Sequence, residues 1–198
     1  MSQQKDITSI IQVVNLYGFA VDTQRWDLFD RIFTADVEAD FSTTAHWRDL
    51  ATFKRDFAAF HDPFDSTQHV MSNHLVHVDG DTAQAFTYGS WRLVRKATDG
   101  APLWDGTGWY EDDLVRTQEG WRIKLRTCRI VWWTGDPFVN ETIPGVKFEL
   151  ATTVLRRESE AGRCRFVNAF APQPRSKAKA PKPAKAAARV GKRNKKGS

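Results

Sequence analysis

After Pro63 the sequence changes its period: before it apolar residues recur at helical spacing, and beyond it they alternate. Ile7, Ile10, Ile11, Val14 and Val21, with Tyr17 on or near the same stripe, predict a first helix capped by Asp6 or Thr8 and ending near Asp22. A short second helix over 26–33 puts Phe29, Ile32 and Phe33 on one side, and a strand over 37–41 follows. Leu50, Phe53, Phe57 and Phe60 mark a third helix, stopped at Asp62-Pro63. The alternating runs 68–78, 82–96, 103–117 and 121–133 are then separated by Asp79-Gly80-Asp81, Asp99-Gly100 and Glu119-Gly120, all turn chemistry, and predict four long antiparallel strands. Helices first and sheet afterwards is the order of an α+β fold, with the helices packed on one face of a sheet curled around them.

The length of 198 residues suits one domain and one pocket. That domain is expected over 1–135, followed by a C-terminal extension over 136–171 that packs on it, in which 146–155 fits either a strand or a helix. From 172 to 198 the chain is Lys, Ala, Pro and Gly with almost nothing to bury, and reads as a disordered basic tail. The tail also explains the net charge of +5. Ten Lys and Arg and no acid lie from Arg175 onward, leaving 19 basic against 24 acidic residues, a net of −5, in the rest of the chain. A folded nucleic-acid groove therefore has no support, and polyanions are expected to bind only nonspecifically, through the tail. Cys128 and Cys164 have neither the spacing of a metal knuckle nor the number of a disulfide framework. With no run long enough to span a membrane and no apolar leader, the expectation is a cytoplasmic protein.

Two residues stand out for chemistry. A carboxylate just beyond an apolar helix is ordinarily a solvated cap, but the end of helix one lies over the mouth of the sheet, and His69 opens the first long strand. Asp22 and His69 could therefore meet across the cavity, where the carboxylate would fix the imidazole tautomer and raise its basicity. Asn73 shares a face with His69 by twofold alternation, and Tyr110 and Arg129 are candidates to orient a substrate. His74 and His77 sit three apart, on opposite faces, which disfavours a shared metal. His46 and His61, beside loops and helix ends, read as ordinary exposed histidines. Trp132 and Trp133 must point to opposite faces, one toward the pocket floor and the other toward a partner subunit or the extension. No metal ligands and no phosphate-cradling glycine loop are evident, so neither a metal nor an organic cofactor is expected.

The segment LYGFAVDTQRWDLFDRIF, the extended ADVEADF, then TQHVMSNHLVHVDGDTA and GWYEDDLVRTQEGWRI resemble the SnoaL-like family of the nuclear transport factor 2 superfamily, over about the first two thirds of the chain. The resemblance implies a cone-shaped curved antiparallel sheet packed by N-terminal helices around a pocket. Within that family the chain is similar to scytalone dehydratase, bile acid 7-alpha-dehydratase and hexachlorocyclohexane dehydrochlorinase, cofactor-free eliminating enzymes whose catalytic Asp and His match Asp22 and His69. Tyr17 matches a catalytic tyrosine of the bile acid enzyme. The second catalytic histidine of scytalone dehydratase has no counterpart here, one of its active-site tyrosines falls on Phe41, and the late catalytic Asp of the bile acid enzyme falls near Trp91. The resemblance thus implies a lyase acting on a hydrophobic small molecule, a hydroxylated aromatic or polycyclic compound. Dehydration, loss of formaldehyde and isomerisation are left open, and the active form would be a dimeric or trimeric homo-oligomer. The rival expectation is a non-catalytic or ligand-binding module, since small subunits of aromatic-ring-hydroxylating dioxygenases resemble the chain around EGWRIKLR.

Overall fold

The structure of the chain, a computed structural model, describes residues 2–170, so the expected basic tail lies outside the described residues. Helix α1 spans Gln3–Asp22 and a 3-10 turn spans Trp26–Arg31. Strands β1 (Phe33–Ser42) and β2 (Ala45–Trp47) precede helix α2 (Leu50–His61), after which β3 (Ser66–Asp79), β4 (Thr82–Val94), β5 (Leu103–Thr117) and β6 (Gly120–Gly135) form a meander. The six strands make one open curved sheet in the order β2-β1-β6-β5-β4-β3. It is not wholly antiparallel, as expected from the meander alone. β1 runs parallel to β6, with Ala39 opposite Arg126, because β2 and helix α2 carry the chain across before the last strand of the meander returns beside β1.

The curvature has local causes. Register shifts interrupt β3 between Ser72 and Leu75, and β6 at Val131 and Lys124, the residues passed over where Thr107/Gly108 and Asp113/Leu114 of β5 pair with it. Each inserts an unpaired residue that bends and twists its strand. The sheet curves around an aromatic core in which Phe29, Phe33, Phe53 and Phe57 pack tilted and edge-to-face between the helices and β1. Helix α2 is started by Asp49, whose carboxylate accepts from the Thr52 N–H at 2.8 Å. Helix α1 does not start on Asp6 or Thr8: it begins at Gln3, and Asp6 instead accepts from Arg116 at 2.7 Å and from the Trp121 indole at 3.1 Å.

Beyond β6 a 3-10 turn, Pro137–Asn140, is capped by Asp136. Residues 146–154 form neither strand nor helix: Thr152 makes a lone parallel bridge with Ile130, and the Trp133 indole donates to the Leu150 carbonyl at 3.0 Å. The run lies across the rim of the sheet, where only β6 is available to pair with it. Phe148 packs on Phe60 with ring centroids 4.2 Å apart. Helices α3 (Leu155–Glu160) and α4 (Arg165–Ala169) then cross to the opposite face, where Phe166 and Cys164 bury Phe86 and Trp109. Trp132 is half exposed.

Candidate active site

A glycine sets the distance between the first helix and the sheet. A Cβ on Gly18 would lie 3.2 Å from Met71 Cγ and 3.3 Å from both Cβ and O of His69, tight contacts that would press α1 a few tenths of an ångström away from β3. One turn later Asp22 meets β3. Its Oδ1 accepts from His69 Nδ1 at 2.7 Å and from Thr67 Oγ1 at 2.9 Å, and its Oδ2 accepts from the His69 backbone N–H at 2.7 Å. Partial burial pushes the Asp22 carboxyl up, but the bonds from His69 and Thr67 outweigh it and hold the group below its ordinary 3.8. Asp22 is thus a carboxylate at neutral pH and can only accept, which puts the proton of a neutral His69 on Nδ1 and the lone pair on Nε2. The His69 side chain is 6% exposed and lines an aromatic cavity.

That cavity measures about 110 Å³. Tyr17, Phe41 and Tyr110 all line it, as do His61, Trp91 and Trp104. The Trp91 indole donates to the Tyr110 hydroxyl at 2.7 Å, and Trp91 seats against Gly89 and Gly108, where a Cβ would strike its ring. Beneath the two tyrosines lies a buried ion pair: Arg126 Nε and Nη2 donate to Asp112 at 2.7 and 2.8 Å, with the guanidinium 4.1 Å from the Tyr17 ring and 4.6 Å from the Tyr110 ring. Burial raises the Tyr17 phenol above its ordinary pKa against the opposing pull of Arg126, so it stays a protonated donor. Burial likewise pushes the Cys128 thiol on the cavity wall up to about 12, which leaves it inert at neutral pH. The roof is made by Asn140, Phe148, Glu149 and Leu150, with Glu149 tied to Thr43 through both its N–H and its hydroxyl.

Two expected binding residues lie elsewhere. Asn73 sits at the β3 bulge with φ of 51°, exposed, because the extra residue there turns it out of the alternation shared with His69. Arg129 faces away from the cavity and is held by Asp40 at 2.7 Å beside an open rim groove, since its neighbours Cys128 and Ile130 take the inward positions. Trp133 likewise packs on Trp104 and the extension and does not form the pocket floor. His61, expected to be exposed, is instead buried in the wall, with Nδ1 bonded to the Phe57 carbonyl at 2.7 Å. A larger groove of about 680 Å³ lies on the opposite face beside α4, lined by Asp36, Glu38, His77, Asp113 and Lys124. It is lined by charged side chains of both signs and lacks a histidine held by a carboxylate, so the smaller aromatic cavity is the better site for chemistry. Among the described residues no group of three His, Cys, Asp or Glu is placed to hold a metal ion, and no helix is long and apolar enough to cross a membrane.

Comparison with known proteins bears on this arrangement. Residues 2–127 match the family model described as a SnoaL-like domain. An uncharacterised protein of Mycobacterium tuberculosis, Rv2910c, is 32% identical over 127 residues, covering 64% of this chain and 86% of that one. Among solved structures, Kfla4162 of Kribbella flavida superposes with a TM-score of 0.64 at 23% identity, over 67% of this chain and 95% of that one. A Novosphingobium aromaticivorans protein provisionally named a scytalone dehydratase superposes with a TM-score of 0.62 at 16% identity, over 76% of this chain and 92% of its own.

Proposed function

Since this chain belongs to the SnoaL-like domain family of the nuclear transport factor 2-like superfamily, we propose that it is a cofactor-free lyase that eliminates water from a hydroxylated, largely apolar ring compound. The observation that carries this reading is the Asp22-His69 pair, with Nδ1 of His69 held by the carboxylate and the ring set among the residues that line an aromatic cavity. In the reaction His69 Nε2 takes the proton from the carbon next to the one bearing the hydroxyl. The C–H electron pair becomes the new double bond, the carbon–oxygen bond breaks with its pair on oxygen, and the imidazolium returns its proton to that oxygen, releasing water. Asp22 balances the charge on the ring of His69, and Tyr17 donates to a carbonyl or to the departing oxygen. The cavity of about 110 Å³ is close to the ~150 Å³ that accommodates a benzene molecule, so it seats a single ring, and a polycyclic substrate requires the roof to move. The name given to the Novosphingobium protein points to the same reaction class.

The test is turnover. The purified protein, offered a panel of cyclic ketones and cyclic alcohols that bear a hydroxyl on a saturated ring carbon with a C–H beside it, should release water from at least one of them, followed by mass spectrometry and the absorbance of the new double bond. His69→Ala should then lower kcat by about a hundredfold to ten-thousandfold with Tm unchanged, and Asp22→Asn should act in the same direction by holding the wrong tautomer. Undiminished turnover in His69→Ala would move the chemistry elsewhere, and saturable ligand binding with no turnover in the native chain would make it a binding module.

A further inference from the structure

The cavity is lined by a second imidazole that the proposed reaction leaves idle. His61 ends helix α2, is 2% exposed and borders the same cavity as His69, with the two ring centroids 6.4 Å apart. Its Nδ1 donates to the Phe57 carbonyl at 2.7 Å, an oxygen that can only accept, so the ring proton sits on Nδ1 and Nε2 carries a lone pair. That nitrogen has no hydrogen-bond partner among the described residues, yet it is not sealed. The unpartnered polar side-chain atoms with essentially no accessible surface include Trp104 Nε1 and Asn140 Nδ2 but not His61 Nε2. Rings of Trp26, Phe57, Phe60 and Phe64 pack around the imidazole at centroid distances from 4.7 to 5.7 Å, and the cavity is the space that it borders. A phenyl ring would suit such surroundings. An imidazole adds a desolvated acceptor, which folded chains normally pair.

The two histidines share a tautomer and differ in what holds it. Asp22 is a carboxylate and stabilises a proton that arrives on His69. The Phe57 carbonyl is neutral and burial pulls the His61 pKa down to about 3, so His61 accepts a hydrogen bond without keeping the proton. We propose that His61 Nε2 is the acceptor for a hydroxyl of the bound molecule, one that stays on the ring while another leaves. This rests on the proposed lyase reading for the distinction between the two hydroxyls, but not for the binding itself. An acceptor at the departing oxygen would oppose the negative charge that gathers there, so the leaving hydroxyl belongs with a donor such as Tyr17 and the hydroxyl at His61 is a second one. The substrate class narrows accordingly to ring compounds that carry a retained alcohol or phenol O–H beside the group that is lost.

The experiment compares phenol with toluene, nearly matched in size and differing in O–H against methyl, by calorimetric titration of the full-length protein. Phenol has no saturated ring carbon to dehydrate, so binding is read apart from turnover. His61→Phe should weaken phenol binding about threefold to tenfold, the worth of one hydrogen bond, and leave toluene affinity in place. His69→Ala should keep the native ratio of the two affinities. Should His61→Phe fail to fold, nitrogen-15 NMR of the native chain decides: phenol should move the resonance of the unprotonated His61 nitrogen and toluene should not. No saturable phenol binding, an unchanged phenol-to-toluene ratio in His61→Phe, or a phenol-induced shift at His69 with none at His61 would each overturn the proposal. Absence of turnover on every ring alcohol offered, with the expected binding results in hand, would remove the lyase reading and leave the hydroxyl acceptor standing.

Discussion

His61 is neutral in the folded chain. Burial among aromatic rings, with the His69 ring 6.4 Å away, pulls its pKa from 6.5 down to about 3, and the Phe57 carbonyl accepting from Nδ1 only partly opposes this. Because the folded pKa is depressed, the unfolded chain takes up the proton first. The stability at stake is fully present above pH 6.5 and is lost as pH falls toward 3, amounting to roughly 2 kcal/mol by pH 5. His61→Phe should therefore show a smaller drop in Tm between pH 7 and pH 5 than the native chain, and an equal drop would place the acid sensitivity elsewhere. The inward position of His61 was visible in principle, since it falls one turn after Phe57 on the buried stripe of α2. Its nearness to Asp62-Pro63 outweighed that spacing. Asp22 and His69 were legible from the end of helix one and the start of the first long strand, Tyr110 from its place on the third long strand, and Tyr17 and Phe41 only through the family resemblance; His69, Tyr110, Tyr17 and Phe41 line the cavity, and Asp22 holds His69. Asn73 was not legible, because alternation fails at a bulge that leaves no mark in the sequence.

At the scale of elements, the β5–β6 hairpin shows how much one extra residue decides. Counted straight from its turn, where Thr117 faces Gly120, Asp112 would stand opposite Leu125. The register shift at Asp113/Leu114 leaves Lys124 unpaired and sets Asp112 opposite Arg126. A slip of one residue exchanges the faces of a strand, so the bulge is what turns Arg126 inward under Tyr17 and Tyr110. The resulting pair is 0% and 1% exposed. Arg126→Leu alone should cost about 3–5 kcal/mol in urea unfolding, because it strands a buried carboxylate, whereas Arg126→Leu with Asp112→Leu should recover most of that loss. Equal instability of the single and double variants would mean that the site depends on the guanidinium itself. The helices and the meander could be read from periodicity and turn residues, but the parallel contact of β1 with β6 could not. It joins segments far apart in sequence, and no local pattern records which strand lies beside which.

For the whole molecule, charge is divided along the chain, with ten Lys and Arg and no acid from Arg175 onward and a net of −5 in the remainder. A chain ended at Pro174 is expected to keep its Tm and its turnover and to lose only salt-sensitive binding to polyanions, measured by retention on heparin across a salt gradient. A fall in Tm or in turnover would show that the tail contributes to the domain. The roof of the cavity carries a different consequence. The family match ends at Thr127, before Asn140, Phe148, Glu149 and Leu150, while Asp22 and His69 lie well inside it. The residues lining the cavity are thus drawn from two stretches of chain, one inside the matched domain and one beyond it. Exchanging the stretch from 136 to 150 between relatives would retune which guest is admitted and leave the imidazole and its carboxylate in place, so new preferences can be tried by replacing one short segment.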